Sequence, residues 1–394
     1  MVADVSILGA GPAGAWAAYS LARRGARVAL VDPTHPREKP CGGGVTGRAL
    51  ALVAGALDIA ALPACVIRTA RFTDASSRAG AVVDLAAAGL TPATGLVVAS
   101  RTSFDGLLLA AARDAGAEIV AARVTDLVAR PGGFLIRTTS GSRTAACIVG
   151  ADGANSLVRR RLARPFRRDE LSVATGYFAH GVTSDEIVVE LVDDPPGYLW
   201  SFPRPTHLAV GICAPADAGV TAGRLRARVL GWIRDKGLAP GARLEPYSWP
   251  IPSLAPRDFD ALDVSGPRWC LAGDAAGLVD PITREGIFFA LLSGQWAAEA
   301  LASDDADPWR RYRERVRDEI GSELARAARF KAGFFRPRFT RLMIDALQQS
   351  AGVRAVMADL VAGRQSYAQL KWRLARTFEV GLAWRLFASA RRRA

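Results

Sequence analysis

The glycines between Gly9 and Gly14 constrain this chain more than any other feature of its sequence. They follow the apolar run Val5–Leu8 and precede an alanine-rich stretch that reaches Arg24, and a second apolar run then ends at Asp32. A strand, a glycine turn, a helix, a strand and an acid in this order predict a dinucleotide-binding unit. The start of the helix would face a pyrophosphate, and the acid would bind a ribose hydroxyl.

Each glycine of this turn has its own physical reason. Gly9 allows the tight turn, Gly11 lets the backbone approach the pyrophosphate, and Gly14 lets the helix pack closely on the strand. An ordinary strand–turn–helix does not need three glycines at this spacing, so the dinucleotide interpretation is favoured.

The composition is that of a globular protein with a large core, because 50% of the 394 residues are apolar. The apolar runs are too short to span a bilayer and the chain enters a strand at once, so neither a membrane-spanning helix nor a signal peptide is expected.

Five scattered cysteines without a CxxC pair predict reduced thiols in the cytoplasm. The three histidines lack metal-site spacing, so no metal is expected.

The net charge of +13 is concentrated at the C-terminal end. Residues 324–394 hold fifteen Lys or Arg and three Asp or Glu, while the rest of the chain is almost neutral. A basic tail of this kind can meet nucleic acid or an anionic membrane surface. Because no nucleic-acid motif accompanies it, the membrane surface is favoured and nucleic acid is not expected.

The same region carries apolar stripes at helical spacing. The first stripe is formed by Val353, Val356, Met357, Leu360 and Val361, and the second by Leu370, Leu374, Phe378 and Leu382, with Trp372 and Trp384 nearby. Apolar, basic and Trp residues together are typical of a helix lying in a membrane interface. Helices whose apolar faces pack on the body of the protein give the same pattern, and both interpretations stay open.

Three more turns carry residues that could contact a ligand or cap a helix. Cys41–Gly44 ends in three glycines, which let backbone lie flat against a ligand, with a flexible linker as the alternative. Asp152 follows a strand and precedes a helix, which it or Asn155 is predicted to cap. Gly273 opens a strand-to-helix connection that ends at Ile287, and this pattern predicts a second cofactor contact.

Residues 64–99 and 166–260 are rich in predicted strands, with one helix at Arg224–Lys236, and suggest an inserted sheet. Phe134–Thr138 and Ala145–Val149 are predicted to form a hairpin. Tyr198, Trp200 and Phe202 alternate, so in a strand all three face one side. That face could pack on a core or form the wall of a substrate cavity, and the flanking prolines favour the wall.

Together these motifs identify a family. GAGPAG at 9–14, GADGANS at 150–156 and GDAAG at 273–277 resemble flavoproteins of the aromatic-hydroxylase fold. PCGGG at 40–44 and PxxYxWxFP at 195–203 are similar to the geranylgeranyl reductase family. Those FAD enzymes saturate isoprenoid double bonds in archaeal lipids, chlorophyll precursors and menaquinone.

The resemblance implies an α/β fold with a Rossmann-like FAD-binding domain, an inserted antiparallel-sheet substrate domain and a C-terminal helical region. We expect the FAD-binding domain to comprise residues 1–64, 100–165 and 266–303. The substrate domain would take residues 65–99 and 166–265, and the basic helical region residues 304–394.

The resemblance also implies a set of site residues. The family's FAD contacts fall on Ala13, Gly14, Asp32, Cys41, Gly42, Gly44, Arg101, Val124, Asp274, Gly286 and Ile287. We expect the other members of the same turns to contact FAD as well: Gly9, Gly11, Pro12, Gly43, Asp152, Gly273 and Pro281. The prenyl cavity would be lined by Tyr198, Trp200 and Phe202. Cys41 is the family's candidate proton donor, with a water held by the glycine loop as the alternative.

The chain departs from the family pattern at Arg284. The family usually has glycine before the pair that corresponds to Glu285 and Gly286. We expect a long cation in the flavin loop to affect the choice of substrate or the flavin potential.

Three functions follow from these features. The favoured one is a reductase in which hydride from FAD and a proton saturate a C=C bond of a lipid-like substrate, delivered from a membrane. The runner-up is an FAD-dependent monooxygenase acting on an aromatic, peptide or natural-product substrate. The third is a non-catalytic flavin-binding membrane protein. No second glycine fingerprint exists, so NAD(P)H or a reduced carrier protein is expected to dock transiently as electron donor.

Overall fold

The computed structural model describes residues 5–86 and 95–377. The strands within these ranges are, in chain order, β1 (Val5–Leu8), β2 (Val28–Val31), β3 (Gly44–Thr46), β4 (Ala64–Val66), β5 (Thr69–Asp74), β6 (Gly80–Asp84), β7 (Leu96–Ala99), β8 (Glu118–Val120), β9 (Val124–Arg130), β10 (Gly133–Thr138), β11 (Gly141–Ala145), β12 (Cys147–Gly150), β13 (Leu171–His180), β14 (Glu186–Asp193), β15 (Pro196–Pro203), β16 (His207–Pro215), β17 (Arg243–Pro252), β18 (Ser265–Gly266) and β19 (Trp269–Leu271).

The α-helices in the same ranges are α1 (Pro12–Ala22), α2 (Gly47–Val53), α3 (Arg101–Asp114), α4 (Leu157–Leu162), α5 (Ala222–Lys236), α6 (Pro256–Asp260), α7 (Ile287–Leu301), α8 (Pro308–Arg315), α9 (Ser322–Phe334), α10 (Pro337–Gln349), α11 (Ala351–Val361) and α12 (Tyr367–Thr377). One turn of π-helix, Val316–Gly321, joins α8 to α9.

A largely parallel sheet forms the first layer, in the order β18-β19-β12-β1-β2-β8. β1 lies near its centre and pairs in parallel with β12 on one side and β2 on the other. All four residues of β1 are buried, as expected for a short apolar strand covered on both faces. The carboxyl ends of β1, β2, β12 and β19 therefore meet at one edge, where the glycine turns begin.

The second sheet has seven strands in the order β17-β13-β16-β15-β14-β5-β6. Its pairs are antiparallel except for β14 and β5, which run in parallel. Apolar residues of α5 pack on one face of this sheet, among them Val229 and Ile233. The other face carries the aromatic residues of β15 and faces the interior of the protein. The predicted α/β architecture with an antiparallel sheet is confirmed.

One strand pairing predicted from the sequence was wrong. β10 pairs with β11, whereas β12 joins the parallel sheet beside β1, so Phe134–Thr138 and Ala145–Val149 do not form a hairpin. The strand Leu96–Ala99 pairs with β3 and β4 in a small separate sheet rather than with β5 or β6. Short apolar strands have similar sequences whether they lie in a hairpin or in a buried parallel sheet, which explains the wrong hairpin.

The described C-terminal helices pack on the body of the protein. Val353 and Met357 of α11 pack in the cluster that includes β5 and β6, while Val356 and Leu360 pack with Tyr367 of α12. The first apolar stripe is therefore buried by packing within the chain. Phe378, Leu382, Trp384 and the final arginines lie outside the described residues. Among the described helices, none combines the length and apolar character that crossing a bilayer requires.

Candidate active site

The glycine turn after β1 is shaped by close contacts on one side and open on the other. A Cβ on Gly14 would lie 1.9 Å from the Gly9 carbonyl oxygen, and one on Gly9 would lie 2.4 Å from that of Ala151. A Cβ on Gly11 would meet only the His35 ring, at 3.9 Å. The backbone at Gly11 and the start of α1 thus face open space, which suits a pyrophosphate held by helix N–H groups.

Asp32 directly follows β2, beside this turn, and its ionised carboxylate is a hydrogen-bond acceptor. Its carboxylate accepts hydrogen bonds from the backbone N–H of Ala10, at 3.0 Å, and of Thr34 and His35, at 2.8 and 2.9 Å. Burial alone would raise the pKa of Asp32, but the His35 side chain and the backbone amides together hold it well below its usual range. The position and charge suit a ribose hydroxyl.

The Cys41–Gly44 loop is held from behind by Arg204, whose side chain is fully buried. Arg204 pairs with Glu38 and donates to the Cys41 carbonyl oxygen at 2.5 Å. Glu38 also accepts hydrogen bonds from the Ser100 hydroxyl and from the backbone N–H of Arg101, the latter at 3.1 Å. Burial opposes ionisation of Glu38, but the charge of Arg204 and these donors outweigh it and lower its pKa.

The front of the loop lies against the aromatic face of β15. A Cβ on Gly42 would lie 3.0 Å from the Phe202 ring, so glycine lets the loop and ring approach. The backbone N–H of Gly43, at φ +85°, donates to Cys41 Sγ at 3.3 Å. Cys41 is thereby placed between the buried Arg204 clamp and the interior cavity. A flexible linker would not be fixed on both sides in this way.

His207 extends the same cluster and makes it sensitive to pH. Its Nε2 lies 3.3 Å from a guanidinium nitrogen of Arg204, which can only donate, so Nε2 accepts and Nδ1 carries the proton toward the Thr206 hydroxyl. Burial, followed by the charge of Arg204, lowers the pKa of His207 to about 4. The folded protein therefore holds this imidazole neutral.

We expect the free energy of unfolding to fall by about 1–2 kcal/mol as pH drops from about 6.5 to about 4. In that window the unfolded chain protonates His207 and the folded protein does not. Denaturant unfolding at a series of pH values measures the effect. His207→Gln should flatten this part of the profile. An unaltered slope in His207→Gln would contradict the assignment.

The aromatic residues of β15 share one face, as their alternation predicted. Tyr198 and Trp200 meet edge to face at 5.8 Å between ring centroids. The Tyr198 hydroxyl donates to the Thr283 carbonyl oxygen at 3.2 Å, which ties β15 to the loop before α7. Burial keeps the pKa of Tyr198 well above its usual value, so it stays a neutral phenol. The face is an apolar wall with one fixed hydrogen bond.

One cavity connects these parts. The cavity has a volume of about 270 Å³. Its cofactor end is lined by Gly11, Arg101, Asp274 and Gly286. Its other end is lined by apolar side chains of the large sheet and of α9, α10 and α11: Phe72, Ile187, Val189, Leu191, Phe334, Met343, Met357 and Leu360. The site thus passes from a polar, glycine-rich half into an apolar half.

Comparison with known proteins agrees with this geometry. A family model described as an FAD binding domain matches residues 2–220. The chain is 31% identical to a menaquinone reductase of Mycobacterium tuberculosis (strain H37Rv) over 366 residues, covering 86% of this chain and 85% of that protein. It is 30% identical to digeranylgeranylglycerophospholipid reductase 2 of Methanothermobacter thermautotrophicus, covering 83% and 86%.

The chain belongs to the geranylgeranyl reductase family of FAD-dependent oxidoreductases. Among solved structures, it resembles a geranylgeranyl bacteriochlorophyll reductase-like protein of Thermoplasma acidophilum, with a TM-score of 0.78 and 20% identity over 96% of this chain and 99% of that one. A flavin-dependent brominase shares the fold with a TM-score of 0.68, at 20% identity over 95% and 99%. At such identities the two structures support the fold and not the reaction.

The residues present fit the FAD that this family binds. The open backbone at Gly11 suits the pyrophosphate and Asp32 suits the adenosine ribose. Asp274 lines the same cavity beside Gly286, where it could accept from a cofactor hydroxyl. Asp152 adds a further acceptor: its Oδ2 accepts from the N–H groups of Leu157 and Val158, and its Oδ1 is buried without a partner among the described residues. The N-cap residue of α4 is Ser156, whose hydroxyl accepts from the Arg159 N–H, rather than Asp152 or Asn155 as the sequence predicted. An unpartnered buried oxygen of this kind suits a hydroxyl or amide donor of a cofactor.

The structure brings most of the expected site residues to the cavity wall. Those that line it are Gly11, Pro12, Ala13, Cys41, Gly42, Gly43, Gly44, Arg101, Asp274, Gly286, Ile287, Tyr198, Trp200 and Phe202. Those that do not line it are Gly9, Gly14, Asp32, Val124, Asp152, Gly273 and Pro281. Gly9, Gly14 and Gly273 shape the backbone behind the wall. Val124 opens β9, and Pro281 is buried in the loop before α7.

Several residues of the site were not expected from the sequence. Lys39 lines the cavity just before the glycine loop, where burial and then the charge of Arg101 lower its pKa. Glu285 accepts from the Thr46 hydroxyl at 2.7 Å and pairs with Arg48, which links the flavin loop to α2. Lys39 and Glu285 could have been predicted as site residues, because each is a charged residue directly beside a family motif.

Proposed function

We propose that this protein reduces C=C bonds of a prenyl chain carried by a lipid-like substrate. The observation that carries the proposal is the apolar half of the cavity, which begins at the Cys41–Gly44 loop and runs between the aromatic face of β15 and helices α10 and α11. An extended hydrocarbon fits such a lining. The reductase names of the relatives at 30–31% identity support the same reaction class.

Bound reduced FAD supplies the hydride for such a reaction. The side chains of the protein bind the substrate, orient its alkene and supply a proton. Tyr198, Trp200 and Phe202 form a wall that holds the alkene flat and excludes water, and the methionines of α10 and α11 adapt to the rest of the chain. A proton must reach the carbon that does not receive the hydride, so that two hydrogen atoms are added for each reduced bond.

We assign Cys41 as the donor of that proton. Its sulfur accepts the Gly43 N–H, which leaves the thiol hydrogen available to another acceptor, and the side chain lines the cavity. A neutral thiol is a weak acid, so the alternative donor is a water held by the same loop. The electron donor in this proposal is NAD(P)H or a reduced carrier protein that docks transiently, and the basic C-terminal region guides the protein to an anionic lipid surface.

The test uses the purified, FAD-loaded protein under anaerobic conditions. The flavin is reduced with dithionite, a polyprenyl lipid is added, and flavin absorbance is followed by stopped flow while mass spectrometry analyses the lipid. We expect reoxidation only when the lipid is present, with two hydrogen atoms gained for each bond. A fully saturated lipid of equal length is the control. If the lipid stays unsaturated and oxygen from O₂ enters a product on aeration, the protein is a monooxygenase.

A further inference from the structure

The flavin loop, residues 280–286, is folded around one buried carboxylate. Asp280 Oδ1 accepts hydrogen bonds from the backbone N–H groups of Ile282 and Thr283, at 2.7 and 3.0 Å. The backbone N–H of Asp280 donates to the Glu285 carbonyl oxygen at 3.0 Å and closes the loop. The conformation of the loop therefore depends on how the Asp280 side chain is held.

The second oxygen of this carboxylate is held by Tyr367, which lies 87 residues further along the chain. The Tyr367 hydroxyl donates to Asp280 Oδ2 at 2.8 Å, and both residues are buried. Burial keeps the pKa of Tyr367 well above its usual value, so its hydroxyl keeps its hydrogen. Among the described residues Asp280 forms no ion pair, so its carboxylate relies on three neutral donors, of which Tyr367 is the one from outside the loop.

Tyr367 is itself fixed at both its backbone and its ring. Its N–H donates to Glu323 Oε1 of α9 at 2.5 Å. Its ring centroid lies 6.1 Å from that of Phe330, and the side chain packs in one cluster with Ile282 of the flavin loop and Leu360 of α11. The hydroxyl therefore has a position that is set by the packing of the C-terminal helices.

The turn between α11 and α12 contacts the support of the loop at a second point. A Cβ on Gly363 would lie 2.9 Å from Arg48 Nε and 3.1 Å from the Thr46 side chain. These two residues are the side-chain partners of Glu285. The C-terminal helices therefore act on both acids of the loop, directly at Asp280 and through these partners at Glu285.

Two links from the large sheet hold the other side of the loop. The Tyr198 hydroxyl donates to the Thr283 carbonyl oxygen, and Arg284 Nη2 donates to the Ser172 hydroxyl at 3.0 Å. The loop is thus held between the sheet and the C-terminal helices. The bond from Tyr367 differs from the sheet links because it reaches the carboxylate around which the loop is folded.

The position of the loop affects the cofactor because the loop leads into α7. Gly286 is the N-cap residue of α7 and Ile287 its first residue, and both line the cavity. N–H groups at the start of a helix carry partial positive charge, which favours a nearby anion. Charge beside a flavin ring tunes its electronics, so these N–H groups would favour the added negative charge of a reduced flavin. Displacing the loop would weaken that effect.

We propose that Tyr367 is a positioning residue for the flavin loop. Through its hydrogen bond to Asp280 it holds the loop so that the start of α7 lies against FAD, although Tyr367 does not line the cavity itself. The inference goes beyond the proposed function and does not depend on the substrate, because it concerns the cofactor alone.

The test is the midpoint potential of the FAD holoenzyme, measured in the absence of lipid. Tyr367→Phe removes the hydroxyl and keeps the ring. We expect the potential to fall by about 30 mV, which corresponds to a tenfold less favourable two-electron reduction, because the start of α7 is then held less firmly against the flavin. In an Asp280→Ala background the same substitution should cause no further fall, since Tyr367 acts through that carboxylate.

Tyr312→Phe is the matched control. Tyr312 is also buried, and its hydroxyl donates to the Leu271 carbonyl oxygen at 2.7 Å, so the variant loses one buried hydrogen bond of similar length. A thermal melt should show a similar small loss of stability in both variants, with FAD retained. The potential of Tyr312→Phe should equal that of the natural protein.

Three outcomes would overturn the proposal. An unchanged or raised potential in Tyr367→Phe would show that the hydroxyl does not hold α7 against the flavin. An equal fall in Tyr312→Phe would show a general loosening of the protein, and a fall that persists in the Asp280→Ala background would show that Tyr367 acts elsewhere. Because the potential is measured without lipid, a failure of alkene reduction would contradict the proposed function alone.

Discussion

Replacing Glu38 with alanine is expected to lower the free energy of unfolding by about 3–5 kcal/mol. Arg204 is fully buried, and Glu38 is its only ion-pair partner among the described residues. The substitution would leave an uncompensated charge in the interior. It would also remove the acceptor for Ser100 and for the N–H of Arg101, and so loosen the support of the Cys41 loop.

Denaturant unfolding of the variant measures this effect. Glu186→Ala is the matched control, because Glu186 pairs with Arg71 through two hydrogen bonds but at the surface, and its loss should cost less than about 1 kcal/mol. Replacing both Glu38 and Arg204 with methionine should recover much of the stability, since no charge then remains buried. Similar small losses in both single variants would show that the Arg204 clamp is unimportant.

Replacing Cys41 with alanine is expected to slow alkene reduction by about 10²–10⁴-fold, the usual contribution of a positioned proton donor. FAD binding and lipid affinity should change little, because Arg204 and the Ala99 backbone still hold the loop when the contact between the Gly43 N–H and the sulfur is lost. Single-turnover reduction under anaerobic conditions gives the rate, and equilibrium titration gives the affinity.

Cys65→Ala serves as the control, because this half-buried cysteine lies on β4 and does not line the cavity. Cys41→Ser should restore part of the rate, since a hydroxyl can relay a proton at the same place. A Cys41→Ala protein with the natural rate would assign the proton to a loop water.

What the sequence predicted correctly depended on local spacing. The turn at Gly9–Gly14 and the acid at Asp32 follow a fixed pattern along one short segment. The alternation of Tyr198, Trp200 and Phe202 fixes their common face as soon as the segment is a strand. The strand-rich segments 64–99 and 166–260 were recognised in the same way.

What it missed depended on contacts between distant parts of the chain. Arg204 and Glu38 are 166 residues apart, and Arg48 and Glu285 are 237 apart. From a single sequence each of these four residues would be predicted to lie at the surface, because no neighbouring residue indicates its distant partner. The pairing of β12 with β1 was missed for the same reason, since a four-residue apolar run carries no record of its neighbour.

The order of strands in the parallel sheet has a consequence for synthesis of the protein. β1 is made first, yet its neighbour β12 begins at Cys147 and the next strand, β19, at Trp269. Until the ribosome passes β19, a nascent chain exposes the apolar edge of β12, which invites association with other chains. The cavity closes later still, when α11 has been made. A nascent chain therefore lacks part of the cavity wall until residue 361 has been made, and a chaperone that covers β12 would protect it meanwhile.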